Sequence, residues 1–382
     1  IQISAARKPF PYPYKFVSVL RKIIPHQAFV LLPIHSNFSG RINCYCLKIQ
    51  NSGGLNEKNF TRGFGVDSRR AAFACDNNDD NKIIVNETTH SIFYAPQYLA
   101  MALGYFEEAG YEIELINGQG SDLSMTAVVT GAADIALLGP ETVLYVYQQG
   151  RQDYPVVFGQ LTKRDGSFLV GREFEPDFDW SNLAGKEIIM GRRGGMPAMT
   201  LQYVLNQHGY RDGENITMNY DVPFALTGPS FVSGTGDYVA LFEPTASELE
   251  KEKSGFIVES IGAESGEVPY TCFVATQEYI KNNTKKLEKY LDCIYRATQY
   301  LLSHDNASIA ELLLPYFEGS DKDTIASALG NYRANDSWVI YPSMTEDSFN
   351  RMQDIMQNAG ELSDRIEFSK VIDNSIADKI GR

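Results

Sequence analysis

Lys82-Ile-Ile-Val-Asn-Glu87, Tyr111-Glu-Ile-Glu-Leu-Ile116 and Ala133-Asp-Ile-Ala-Leu-Leu138 decide the fold, because each short apolar run is followed by a turn and then by a stretch of helical spacing. The first is β-branched and fits a buried strand. Behind it Ala95, Leu99, Ala102, Leu103 and Phe106 recur at helical intervals, and Gly110 suits a left-handed helix end. The second run alternates as a strand does. Asn117-Gly118 then turns the chain, and Ser121–Thr130 reads as a helix closed by Gly131. After the third run, Pro140 opens a helix at its favoured first position. Three such pairs in succession predict a parallel sheet with helices on both faces, an α/β fold.

The pattern restarts at Lys186-Glu-Ile-Ile-Met190, where a glycine-rich turn (Gly191, Gly194, Gly195) leads into a helix over Pro197–Gln207. A strand at 238–242, a helix at 244–253 and a strand at 256–260 complete a smaller α/β unit, residues 173–268. Beyond the run Tyr270–Ala275 the chain is almost entirely helical: 286–304, 308–316, 321–332 and 346–359 carry apolar stripes and have no sheet of their own. They are expected to pack on the first unit. Residues 82–172 with 269–382 then form one lobe and 173–268 the other. The chain crosses between them near 168–172 and 268–271, a two-segment hinge.

Residues 1–81 read differently, as a non-structural leader or tether. Of 34 basic residues 11 precede residue 75, against two acids there; beyond it stand 23 basic and 46 acidic residues. The acidic body disfavours nucleic acid as a partner. No stretch reaches the ~18–20 apolar residues of a membrane span. Cys44 and Cys46 are too close for a metal pair, and Cys272 and Cys293 fall on apolar patterns as small core residues, so no metal is expected. Cys75 follows Ala72-Phe73-Ala74 and precedes a polar run, like the start of a lipoprotein. It is either a lipidation site, the sole membrane attachment, or an ordinary thiol in a leader.

Six segments carry a resemblance: Ser91-Ile-Phe-Tyr-Ala-Pro-Gln-Tyr98, Leu103-Gly-Tyr-Phe-Glu-Glu-Ala-Gly110, Gly131-Ala-Ala-Asp-Ile-Ala136, Asp165-Gly-Ser-Phe-Leu-Val170, Leu183-Ala-Gly-Lys186 and Gly191–Gly195. In their order and spacing they resemble the nitrate/sulfonate/taurine and THI5-like branch of ABC-transporter solute-binding proteins. The resemblance implies a type II periplasmic-binding-protein fold, a small-molecule ligand held between the lobes, permease and ATPase partners, an extracytoplasmic address and a monomer.

Ligands of open α/β sheets bind at the carboxyl ends of strands, beside helix starts. That rule selects Thr89, His90, Ser91 and Tyr94 after the first strand, and Gly139 and Glu141 after the third. Arg164, Asp165 and Ser167 lie at the first crossing. Arg193, Gly194, Gly195 and Met196 form the glycine-rich turn, and Phe242 and Glu243 end a strand of the second unit. Each has a plainer reading: His90 as a surface or capping residue, Glu141 as a complement to a helix dipole, the arginines as solvated. The turn is no Walker loop, since no Gly-Lys-Ser/Thr follows.

THI5-like proteins include a pyrimidine synthase with a CCCFC motif. No cysteines of the body are adjacent, and nucleophile-turn and metal-pair motifs are missing from it, so a binding protein without cofactor is expected and an enzyme or a receptor's sensor domain is the alternative. Glu141, Asp165 and Glu243 suit a flat, amine-bearing heterocycle such as a thiamine-related pyrimidine better than an oxyanion. Alkanesulfonates, taurine and nitrate remain the alternative, with Arg164, Arg192 and Arg193 to meet them.

Overall fold

In the computed structural model, the described residues are 28–33, 45–50 and 81–381. Residues 1–75 and 76–382 form separate units. Within the first, β1 (Ala28–Pro33) pairs antiparallel with β2 (Tyr45–Gln50). This ribbon lies inside the stretch read as non-structural. Its first strand is a short apolar run interrupted only at its end by Pro33. Cys75 falls outside the described residues.

The second unit holds two five-stranded sheets. The first has the order β4-β3-β5-β12-β6, built from β3 (Lys82–Glu87), β4 (Glu112–Asn117), β5 (Ile135–Leu138), β6 (Pro155–Thr162) and β12 (Thr271–Thr276). The second has the order β11-β7-β10-β8-β9, from β7 (Ser167–Gly171), β8 (Glu187–Ile189), β9 (Thr217–Asn219), β10 (Tyr238–Phe242) and β11 (Phe256–Ser260). Helices cover each sheet, in an α/β fold of two lobes.

The expected parallel sheet is a mixed one. β3 pairs parallel with β4 and β5, but β12 runs antiparallel to both β5 and β6. The reason is the chain's return: it leaves the first lobe along β6 and comes back along β12, so the two strands that carry the crossings lie side by side in opposite directions. All eight residues of β6 are buried, and such a strand shows no alternation to betray it. The crossings themselves are tied together, with the Val268 N–H donating to Lys163 O at 2.9 Å and the Tyr270 N–H to Thr162 O at 3.2 Å. Because β7 hydrogen-bonds in the second sheet, the chain leaves the first sheet at 163–166, a few residues earlier than the sequence reading placed it.

Helix boundaries follow local chemistry. The apolar pattern after β3 is not one helix: α1 (Ala95–Ala102) ends before Gly104, whose φ of +70° starts a new short turn at Tyr105. α2 (Ser121–Thr130) begins behind Gly120, and α3 (Glu141–Gln148) behind Pro140. α4 (Met196–Gln207) follows the glycine-rich turn, and α5 (Thr245–Glu252) follows Pro244. α6 (Gln277–Ser303) is longer than its apolar stripe, starting at a Thr276 cap. α7 (Asn306–Leu313), α8 (Lys322–Ala334) and α9 (Glu346–Asn358) complete the set used here.

These carboxyl-terminal helices pack on the first lobe, as the Tyr290–Gln97 hydrogen bond records, and Trp338 in the segment after α8 donates to Phe93 O. They also reach the second lobe. Asn331 of α8 donates to the Glu243 carboxylate at 2.6 Å, the Tyr332 hydroxyl accepts from the Glu243 N–H at 2.9 Å, and Asn206 of α4 donates to Asn358 of α9 at 2.8 Å. The helical tail therefore spans both lobes rather than covering one. Among the described residues no helix is long and apolar enough to cross a membrane.

Candidate functional site

Five strands of the two sheets, β3, β4, β5, β8 and β10, end at one cleft, and their ends and the loops behind them line a cavity. Thr88 and Thr89 follow β3, Gly120 and Ser121 follow β4, and Gly139 and Glu141 follow β5. From the second lobe come Arg192, Gly195, Met196 and Pro197 of the glycine-rich turn, with Phe224 and Phe242. Tyr94, Tyr270 and Thr271 close the floor. The water-accessible volume is about 60 Å³. At roughly 10–15 Å³ for each water centre this is room for about four to six waters, the space of one small ring.

Glu141 is the most unusual group here. Its side chain is buried, and Oε2 has no hydrogen-bond partner among the described residues. Burial pushes its carboxyl up to about 7, and the Glu141 and Met196 N–H groups and the Arg192 charge offset part of that. The carboxylate thus sits between the lobes and faces the start of α4. A buried carboxyl oxygen without a donor, as Oε2 is here, costs folding free energy unless something donates to it.

The walls are aromatic. Tyr94 is buried, and Phe242 meets Phe224 edge to face with centroids 5.8 Å apart and Phe93 at the same separation. Around them the hydroxyls are organised. Ser121 Oγ lies 3.1 Å from Thr88 Oγ1 and accepts from the Gly139 N–H at 3.2 Å. A side chain on Gly139 would meet the Glu141 carboxylate, which would then have to shift.

Of the residues selected from the sequence, Thr89, Tyr94, Gly139, Glu141, Gly195, Met196 and Phe242 line this cavity. The others do not. His90 is held aside: its Nδ1 is 3.0 Å from Glu87 Oε1, its Nε2 is 2.6 Å from Tyr316 O, and its ring lies on Phe317. The Glu87 bond raises the His90 pKa. Ser91 Oγ donates to Glu243 O at 2.6 Å. Glu243 itself is spent on structure, its carboxylate accepting from the Ser247 N–H and hydroxyl at 2.9 Å each and from Asn331. It is an internal cap for α5, not an acceptor facing the cavity.

Asp165 and Ser167 form a closed pair at the crossing, Asp165 Oδ1 accepting from the Ser167 N–H at 2.7 Å and hydroxyl at 2.6 Å. Burial pushes Asp165 up to about 7, with the Tyr270 and Thr200 hydroxyls facing it. Arg164 reaches Gly262 O, away from the cavity. Arg193 lies over the Tyr220 ring at 3.9 Å, and Gly194, at φ +73°, offers its carbonyl to the Tyr145 hydroxyl at 2.9 Å.

Several lining residues escaped the sequence reading as site members. Thr88, Gly120 and Ser121 stand at the carboxyl ends of β3 and β4, where the rule used for β3 and β5 would have found them. Of the arginines read as partners for an anion, Arg192 and not Arg193 lines the cavity, since the direction of neighbouring side chains on a turn leaves no trace in sequence. Tyr270 and Thr271 were read only as part of a crossing. Phe224 opens a single 3-10 turn, Phe224–Leu226, too short to show periodicity.

The pattern of NMT1/THI5-like proteins matches residues 92–308. YtlA of Bacillus subtilis (strain 168), which carries the name of a binding protein, is 41% identical over 299 residues, 78% of this chain and 90% of YtlA. The chain belongs to the NMT1/THI5-like family. A more distant relative is the 4-amino-5-hydroxymethyl-2-methylpyrimidine phosphate synthase of Aspergillus parasiticus, 25% identical over 57% of this chain and 66% of that protein. Among solved structures, the alkanesulfonate-binding protein SsuA from Xanthomonas axonopodis pv. citri, bound to MOPS, is similar with a TM-score of 0.62 at 16% identity, covering 76% of this chain and 98% of SsuA. The periplasmic nitrate-binding protein NrtA from Synechocystis PCC 6803 gives 0.57 at 13% identity, over 78% and 86%. At such identities these likenesses establish the periplasmic-binding-protein fold and nothing about the ligand.

Proposed function

We propose that this NMT1/THI5-like protein is an extracytoplasmic solute-binding protein of the ABC-import type, handing a small molecule to a permease and ATPase. The reading is supported by the family, by the binding-protein name of YtlA and by a cleft that both lobes line. The preferred solute is a flat, amine-bearing nitrogen heterocycle of the thiamine-related pyrimidine kind. One observation carries that preference: the buried Glu141 oxygen without a partner, set among Tyr94, Phe224 and Phe242. An amine or amidine edge supplies the missing donor, and the aromatic walls supply faces for a ring.

An oxyanion fits less well. The start of α4, which would attract it, already faces the Glu141 carboxylate, and a buried anion beside that group is costly. Arg192 at the cavity favours the second reading, an alkanesulfonate, taurine or nitrate ligand, with Glu141 protonated. The synthase reading has less support: burial raises the Cys272 thiol well above its usual range and the Cys293 thiol to about 12, which disfavours the thiolate at both.

Calorimetric titration of the full chain with thiamine, an aminopyrimidine, riboflavin, taurine and an alkanesulfonate separates these readings. Micromolar binding of a heterocycle, lost in Glu141→Ala, is expected. Binding of a sulfonate with no heat from any heterocycle would contradict the preference.

A further inference from the structure

A second cavity adjoins the first. It is lined by Thr89, His90, Ser91, Thr227, Glu243 and Thr245 among others, and it shares Thr89, Phe224 and Phe242 with the inner one. Its water-accessible volume is about 230 Å³, nearly four times the inner value. The edge-to-face pair Phe224–Phe242 stands where the two spaces meet.

The chemistry of the outer space is distinct. Its two ionisable side chains are already engaged. Both ring nitrogens of His90 are taken, by Glu87 and Tyr98 on one side and by Tyr316 O on the other. The Glu243 carboxylate is taken by Ser247 and Asn331. What the walls offer is hydroxyl chemistry from Thr89, Thr227 and Thr245. Thr227 Oγ1 donates to Phe224 O at 3.0 Å and so keeps its acceptor lone pairs. A charged group placed there would lose hydration without meeting a free counter-charge, whereas a hydroxyl exchanges water for threonine at little cost.

We infer that the solute has two parts: a compact ring held in the inner cavity and an uncharged, hydrogen-bonding side arm that passes Phe224 and Phe242 into the outer one. This rests on the preceding reading for the ring and adds the arm and its charge. The inner cavity fixes the ring, and the outer one selects among compounds that share it.

The test is a matched series on one aminopyrimidine ring bearing hydrogen, ethyl, hydroxyethyl, carboxyethyl or phosphorylated arms, titrated against the full chain. The hydroxyethyl compound is expected to bind about tenfold more tightly than the bare ring, the ethyl compound less so, and the two charged arms more weakly than the bare ring. Thr245→Val should remove most of the hydroxyethyl advantage, and the bulkier Thr245→Phe should weaken every compound that carries an arm more than it weakens the bare ring. A bare ring that binds equally well with or without any arm would overturn the inference alone, the outer space then being only the mouth of the cleft. Tightest binding by a charged arm would also overturn it. Failure of every compound, bare ring included, would overturn this and the preceding reading together.

Discussion

The Ser91 hydroxyl donates a 2.6 Å hydrogen bond to the carbonyl oxygen of Glu243, joining the loop after β3 in the first lobe to the end of β10 in the second. The same hydroxyl accepts from the Phe93 N–H, so one side chain both caps a helical turn and clasps the opposite lobe. A buried hydrogen bond of this kind contributes about 0.5–1.5 kcal/mol. Ser91→Ala should therefore weaken solute binding by roughly two- to tenfold through a less favourable closure, with ring recognition unchanged. Stopped-flow titration reads it as faster dissociation of the bound solute.

Glu243 separates a structural acid from a recognising one. With both oxygens taken by Ser247 and Asn331, Glu243→Ala removes the cap of α5 and should cost about 1–2 kcal/mol of stability. Glu243→Gln retains one acceptor and should cost less. Neither should change the preference between amine and sulfonate, which Glu141→Gln should alter. Thermal melts and parallel titrations of the variants check both statements.

Burial raises Glu141 to about 7 from 4.5 and Asp165 to about 7 from 3.8, so the folded protein holds both protons at pH values where the unfolded chain has released them. Stability from these groups is complete below about pH 4 and falls as pH rises toward 7. The melting temperature of Glu141→Gln and Asp165→Asn should fall less steeply than that of the unmodified protein over this interval. An amine ligand draws Glu141 into its charged form. Binding at pH 6 should therefore release a proton, seen as a heat that depends on the buffer's ionisation enthalpy.

Gly139 in the cavity wall and Gly194 in the turn beside it make different demands. A methyl group at Gly139 meets the Glu141 carboxylate, so Gly139→Ala should displace that acid and cost at least tenfold in affinity. Gly194 adopts φ +73°, where a side chain is strained by about 1 kcal/mol or more whatever room it has. Gly194→Ala should lower the melting temperature more than the affinity, by differential scanning calorimetry and titration of the same preparation.

The architecture was legible where local rules act. The runs at 82–87, 238–242 and 256–260 are strands over those same residues, and Gly131 ends α2 in the left-handed conformation the pattern asked for. What escaped depends on distant partners. β6 is buried on both faces and offers no alternation, and the direction of β12 is set by the return crossing. At the site, helix starts behind strands identified Glu141 and Met196. Glu243 occupies an equivalent place behind β10, but its role was decided by Ser247 one turn on and by Asn331 far along the chain, a pairing that sequence spacing does not carry. Cys272 and Cys293, read as core residues, are buried.

Closure of the two lobes on one solute, in the cleft that Glu141 shares with Met196, changes the size of the particle. Small-angle X-ray scattering of the full chain, with and without a saturating heterocycle identified by titration, tests it most directly. A smaller radius of gyration is expected with solute, together with a stabilisation of about 2.7 kcal/mol at a hundredfold excess over the dissociation constant. A radius of gyration that does not change at saturation would contradict it.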